Sequence, residues 1–462
     1  MRTLCLALLF FAPHAPAAET SLTERARGYL IELIRRDTTN PPGNETRVAE
    51  YLKQVADAWG IPCELLGDDP ARLNFVARLS GTGDGRPLLL MAHTDVVPAD
   101  RSQWTADPFA GEIRGGYIYG RGTQDDKGLL AAELAVLVEL KRRDIRLKRD
   151  VILLAEADEE AGSTGMRWLI RNAWSKIDAE FALNEAGSSM DLPSGVRLFQ
   201  IQTSEKIPTR VVLSARGTAG HGSLPRADNA VVRLARAILR LADADQPVHL
   251  NTTTRRYFKE IARLPDYRWL VPLLPRLENP SSAIAAANQI RAKETELSAM
   301  LRTTVSPTML SAGEKINVIP NVAEAQIDVR RLPNETAEEV LDRFRRVLND
   351  SAVEVRPAGG QEMPSTEPSS LTTVLYKAME RVLRRSHPKA AVVPFMIRGA
   401  TDGAFLRQKG MAVYGVPIFA REGNESRSHG NDERVAEASL STGSELLWQI
   451  VVAVAAEDGA VR

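Results

Sequence analysis

Cysteine is nearly missing from this chain: Cys5 and Cys63 are the two in 462 residues. Net charge is missing as well, with Lys+Arg and Asp+Glu each numbering 59. No apolar run approaches the roughly 20 residues that a bilayer span requires, and no internal repeat is visible. Each absence excludes something. Cys5 falls in an apolar leader and leaves with it, so Cys63 has no partner for an internal disulfide and reads as a small buried hydrophobe. A balanced charge provides no basic field for nucleic acid or an anionic membrane. Without a spanning run, no stable membrane anchor is expected.

The apolar content is nevertheless 44%, ample for a globular core, and the length suggests two or three domains at roughly 150 residues each. Residues 1–18 combine Arg2, an apolar stretch from Leu4 to Phe11, and the small residues Ala15-Pro16-Ala17-Ala18. That order reads as a secretory signal, placing the mature chain in a periplasmic or extracellular setting.

Beyond the leader, 21–37 and 48–60 carry apolar residues at helical spacing, with the turn-rich "TTNPPGNET" between them. NFVARL (74–79), PLLLMAHTDVV (87–97) and VILLAEA (151–157) read as strands, and 128–144 as a helix between the last two. Nearly pure apolar strands suit a parallel sheet covered on both faces. From about 208 the texture changes. Alternating strands at 209–217 and 323–333, helices at 228–243 and 336–350, and a short strand at 352–357 predict a smaller sheet with helices on one face. A mostly helical stretch at 249–300 interrupts it. The larger pattern returns with a helix at 371–385, a strand at 412–419 and a helix at 435–456. The expected fold is therefore α/β, a large mostly parallel sheet flanked by helices and interrupted by a smaller α+β domain. The divisions are 19–207 and 358–462 for the large part and 208–357 for the small one.

Polar groups gather where the apolar strands stop. His93 and Asp95 follow LLLMA at a spacing that points both to one face, and a ligand histidine commonly gives its other nitrogen to a carboxylate. "YGRGTQDDKG" delivers Asp125 and Asp126 at a helix start, "EADEEAGS" delivers Glu159 and Glu160, "FALNEAGS" ends in Glu185, and "ESRSHGNDER" offers His429. Open α/β sheets place their sites beyond strand ends. Crowded carboxylates repel and resist ionising, so an acidic cluster there needs a counter-charge. Two histidines with three or four carboxylates form the mixed nitrogen and oxygen set that zinc accepts, and one carboxylate can bridge two metals about 3.5–4 Å apart.

"MAHTDVVP", "GRGTQDDKG", "DEEAGS", "NEAG" and "SHGNDE", in that order, resemble the co-catalytic di-zinc amidohydrolases and exopeptidases. That family includes acetylornithine deacetylase, succinyl-diaminopimelate desuccinylase, glutamate carboxypeptidase and aminoacylase. The resemblance implies two zinc ions per chain, with cobalt or manganese as possible occupants. It implies that Asp125 bridges them, that His93 and Glu185 complete one, and that Glu160 and His429 complete the other. Glu159 would be the general base and Asp95 would orient His93. A cis peptide would follow Asp125. "GTAGHGSLPRADNAV" resembles the family's lid motif, in which His221 polarises the scissile carbonyl, in dimeric relatives from the neighbouring subunit. Asn317 and Arg330, in "EKINVIPNVAEAQIDVRRLP", would receive the substrate's carboxylate, and "RGATDGAF" matches a Gly-Thr-Ser-Asp loop with Ala400-Thr401 replacing Thr-Ser.

The activity implied is hydrolysis of an amide bond beside a free carboxylate. A carboxypeptidase or dipeptidase acting on small peptides and an N-acyl amino acid deacylase share this chemistry, and export favours peptides. A homodimer through the lid is a possible assembly. From another class, an exported two-domain solute-binding protein also has a signal and α/β lobes. It needs neither His429 nor the adjacent Glu159 and Glu160.

Overall fold

The computed structural model describes residues 20–360, 362–422 and 426–460; the expected signal, with Cys5, lies outside the described residues. Strands Leu88–His93 and Val151–Glu156 are buried at every position. They pair in parallel, with Leu88 opposite Val151 and His93 opposite Glu156. Phe181–Asn184 and Ala412–Gly415 extend the parallel run. Beyond this centre the sheet turns antiparallel. Asn74–Leu79 and Cys63–Leu66 form one flank. On the other flank Arg197–Glu205 meets Gly415 antiparallel and pairs in parallel with Ala391–Ile397.

Alternation along the central strands feeds two cores. Leu88, Leu90 and Ala92 point into a cluster with helices Leu22–Ile34, Lys127–Arg142, Val374–Ser386 and Glu437–Ala455. Leu89, Met91, Ile152 and Leu154 point the other way, against Met166, Leu169, Phe405 and Leu406. Helices thus cover both faces, as the apolar strands require. Glu437–Ala455 is long and apolar enough to cross a bilayer, a length the run-based reading did not anticipate. In this fold it is a core helix, with Ser444, Leu447, Ile450, Val451 and Val454 fully buried.

The smaller sheet is antiparallel throughout, in the order Thr304–Ala312, Val322–Arg331, Ile207–Arg216, Val353–Pro357. Helices Ala230–Asp243 and Ala337–Leu348 lay Leu234, Leu241, Val340 and Phe344 on Val211, Leu213, Ile327 and Val329. Lys206 alone separates strand Arg197–Glu205 of the large sheet from strand Ile207–Arg216 of the small one. Its buried ammonium donates to Ala299 O at 2.9 Å, Arg302 O at 2.8 Å and Thr304 Oγ1 at 3.1 Å, and burial lowers its pKa to about 7.

Two regions differ from the sequence reading. The helices within 249–300 pack on the large sheet rather than the small one: Tyr257, Phe258, Leu270 and Ile290 share a core with Leu198, Val393, Phe395 and Met396. The strand expected over 412–419 stops at Gly415, because the chain must turn there to pass the Glu185 loop. A Cβ at Gly415 would lie 2.2 Å from Glu185 O, which only glycine avoids.

Leu153 lies in the centre of the sheet with no exposed surface. Leu153→Ala is expected to cost about 2–5 kcal/mol, measured as a lower urea midpoint at unchanged slope.

Candidate metal centre

The central parallel strands end on one edge of the sheet, and the candidate residues stand there. His93 is the last residue of Leu88–His93. Asp125 precedes helix Lys127–Arg142, and the Asp125–Asp126 peptide is cis. Glu159 and Glu160 follow Val151–Glu156, and Glu185 follows Phe181–Asn184. Ligand atoms of His93, Asp125 and Glu185 lie within 4.8 Å of one another, and so do those of Asp125, Glu160 and His429. Asp125 belongs to both groups. Its Oδ1 is 2.9 Å from His93 Nε2 and its Oδ2 3.2 Å from His429 Nε2, while His429 Nε2 is 3.0 Å from Glu160 Oε1.

The electrostatics show why this cluster calls for cations. Burial, then the Glu185 charge, pushes Glu159 well above the usual carboxylate range. Burial, then Asp125, does the same to Glu185. Burial disfavours the ionised Asp125 carboxylate too, yet His429 and His93 outweigh it and hold its pKa low. Hydrogen bonds to Asp125 and Glu160 raise His429 to about 10. Histidine nitrogens and carboxylate oxygens in two groups sharing one aspartate fit a pair of divalent cations.

Backbone geometry near the centre is unusual. Asp158, Ala186 and His429 adopt φ of 70°, 68° and 64°, a left-handed region that costs a non-glycine residue roughly 1–2 kcal/mol. His429 is a candidate ligand, and Asp158 and Ala186 adjoin Glu159 and Glu185, the kind of place where such strain concentrates.

Asp95 faces His93 and has further partners. His93 Nδ1 is 3.0 Å from the Asp95 backbone oxygen and 3.5 Å from its carboxylate. The carboxylate also accepts from Glu159 N–H and Glu160 N–H, both at 3.1 Å, and from Asn40 Nδ2 at 2.7 Å. Asp95 therefore fixes the Glu159–Glu160 turn, and the same Asn40 amide reaches Asp158 Oδ1 at 2.8 Å. Glu433 plays the matching part for Asp125. It accepts from Gln124 N–H at 2.7 Å, Asp125 N–H at 3.2 Å and Arg121 Nη1 at 2.6 Å.

A cavity of about 380 Å³ opens on the centre. Asp125, Glu159, Glu160, Glu185 and His429 line it, with Phe395, Ile397 and Phe419 as apolar wall and Arg398, Arg421 and Arg434 as cations. Thr401 also lines it and ties it inward: its Oγ1 donates to Glu205 Oε2 at 3.0 Å and accepts from Asn184 Nδ2 at 3.2 Å. Glu205 is held by Arg407 at 3.0 Å in a buried pair.

Three expected residues lie elsewhere. His221 is exposed, its Nδ1 2.7 Å from Ser223 Oγ, and Asn317 O accepts from Gly222 N–H beside it. Arg330 Nε is 3.2 Å from both Asp328 oxygens. None of the three lines the cavity. Asn40, Glu433, Arg398 and Arg421 were not singled out from sequence; for Asn40 the one local signal is its position before Pro41-Pro42.

Two histidine–carboxylate groups sharing an aspartate, set beyond the strand ends of an α/β sheet, define a metallohydrolase. A family model described as Peptidase family M20/M25/M40 matches residues 89–453, and the chain belongs to that family. The chain is 28% identical over 373 residues to human N-fatty-acyl-amino acid synthase/hydrolase PM20D1, covering 79% of this chain and 74% of that one. It is 30% identical over 363 residues to a probable carboxypeptidase S-like 2 of Dictyostelium discoideum, covering 76% and 68%. In three dimensions it resembles the M20 family metallo-carboxypeptidase Sso-CP2 of Sulfolobus solfataricus, with a TM-score of 0.70 at 22% identity over 92% of this chain and 98% of that one. Family membership sets aside the solute-binding alternative.

Removing the Asn40 amide frees the Asp95 carboxylate from one of its anchors. Asn40→Ala is expected to weaken divalent-cation binding about 10–100-fold, the usual effect of losing an outer partner, measured by competition with a chromophoric chelator.

Proposed function

We propose that this protein hydrolyses an amide bond beside a free carboxylate in small peptides, acting as an exported carboxypeptidase or dipeptidase with two zinc ions. The observation that carries the reading is Glu159. It lines the cavity with Asp125, Glu160, Glu185 and His429 yet belongs to neither ligand group, and Asp95 fixes its backbone. A carboxylate so placed is free to move protons.

His93, Asp125 and Glu185 would hold one cation, and Asp125, Glu160 and His429 the other. When bound, the pair supplies Lewis acidity and brings the pKa of water down to about 7. Glu159 accepts the proton of the attacking water and later returns it to the departing amine. Asp95 and Asn40 keep the Glu159–Glu160 turn in place meanwhile. Export rests on residues 1–18 and supports peptides as the substrate. N-acyl amino acids are the second reading, supported by the relative named as an N-fatty-acyl-amino acid synthase/hydrolase.

His221 and Asn317 would meet the substrate only from a second copy or after the small unit closes. A second copy is favoured by strand Thr304–Ala312, an unpaired sheet edge exposing Met309 at 59% and Leu310 at 71%. Exposed apolar edges of this kind invite pairing.

Glu159→Gln is expected to lower kcat about 10²–10⁴-fold, the usual contribution of a general base, with metal content unchanged by elemental analysis. Near-native turnover in this variant, or activity that survives a chelator, would overturn the reading. Sedimentation velocity is expected to show a dimer that Leu310→Asp splits into monomers.

A further inference from the structure

Among the described residues, one cation in the cavity has no ion pair. Arg434 is engaged by Glu422, whose Oε2 lies 2.8 Å from Nη2, and by the Tyr119 hydroxyl. Arg398 Nη1 is 3.1 Å from Glu296 Oε2, an acid left 67% exposed. Arg421 makes no ion pair among the described residues. Its side chain is half-buried and lines the same cavity as the ligand groups. The backbone beneath it is fixed: Ala420 bridges to Ser189, Arg421 N–H donates to Ser189 O at 2.9 Å, and Ala420 N–H donates to Ser439 Oγ at 2.8 Å. Burial and the like charge of Arg398 both work against the guanidinium, lowering its pKa.

A partly buried guanidinium beside a second one, held on a fixed backbone, is arranged to receive an anion in bidentate fashion. That anion is not the carboxylate adjoining the scissile amide. Such a carboxylate is one carbon from the reacting nitrogen, on the side of the cavity where Asp125, Glu159, Glu160 and Glu185 stand. Arg421 rises instead from backbone pinned to Ser189 and Ser439, and Arg398 is tied to Glu296 in the helices of 249–300, beside the wall of Phe395 and Ile397. Phe395, Ile397 and Phe419 supply apolar wall in the same cavity, suited to a short methylene chain carrying the distant charge.

We propose that Arg421, with Arg398 beside it, is the specificity determinant for a second carboxylate on the substrate, so that preferred substrates are dicarboxylic. This rests on the amide-hydrolase reading. The distal carboxylate can belong to the acyl group, as in an N-succinyl amino acid, or to the amino acid side chain, as in a glutamate.

The test uses two matched pairs on the zinc-loaded enzyme: N-succinyl-L-leucine against N-succinamoyl-L-leucine, and N-acetyl-L-glutamate against N-acetyl-L-glutamine. The carboxylate member of at least one pair is expected to show a kcat/KM at least tenfold higher, and the pair that responds locates the charge. Arg421→Met should reduce that ratio at least tenfold and Arg421→Lys should restore part of it. Ratios near one in both pairs, a ratio that survives in Arg421→Met, or an equal loss on both members would overturn the proposal. Calorimetry with succinate and succinamate reads the same site without turnover. Wild type should bind succinate at least tenfold more tightly and Arg421→Met should not; equal wild-type affinities would refute the anion site. Failure to hydrolyse any of the four amides, with the calorimetric difference intact, would fault the hydrolase reading alone.

Discussion

Asp125 is the point on which the centre turns. One carboxylate offers an oxygen to His93 and the other to His429, residues separated by most of the chain. Either histidine alone could be an ordinary buried or surface residue. Joined through a shared aspartate they form two groups that overlap at one side chain, which is the arrangement a pair of cations needs. The surrounding hydrogen bonds are subordinate to that overlap. Glu433 fixes the backbone entering Asp125, and Asp95 fixes the turn carrying Glu160.

The candidate ligands His93, Asp125, Glu160 and Glu185 were legible in the sequence because each stands just beyond an apolar strand or at a helix start, whereas His429 lies in a polar loop. Short motifs such as "MAHTD" and "NEAG" announce both the strand and its end. Their supports were not legible, since the partners are remote. Asn40 is 55 residues from Asp95 and 118 from Asp158, and Glu433 is 309 from Gln124. Arg421 gave no signal at all, because what distinguishes it is a side chain without an ion pair among the described residues.

The fold divides in the same way. Central strand Val151–Glu156 was read to within one residue and flank strand Asn74–Leu79 without error, but the strands read over 87–97 and 412–419 each ran four residues past their ends at His93 and Gly415. Ala391–Ile397 and Thr304–Ala312 went unread. Each contains a proline, Pro394 and Pro307, that argues against a strand interior. Both lie at a sheet edge, where a missing N–H is tolerated, and the second carries a bulge after Pro307. The helices of 249–300 were read as an interruption of the smaller unit; their aromatic face forms a separate core with Val393 and Phe395 of the larger sheet.

Strand Ala412–Gly415 fills the gap between Phe181–Asn184 and Arg197–Glu205, so the middle of the large sheet is closed by its last strand in the chain. Pairing across so long a separation demands loop closure before any contact rewards it, which slows folding. Until then two strands keep an open edge in the apolar interior, a template for wrong partners. A polypeptide truncated ahead of residue 412 would keep that open edge, the condition that favours aggregation.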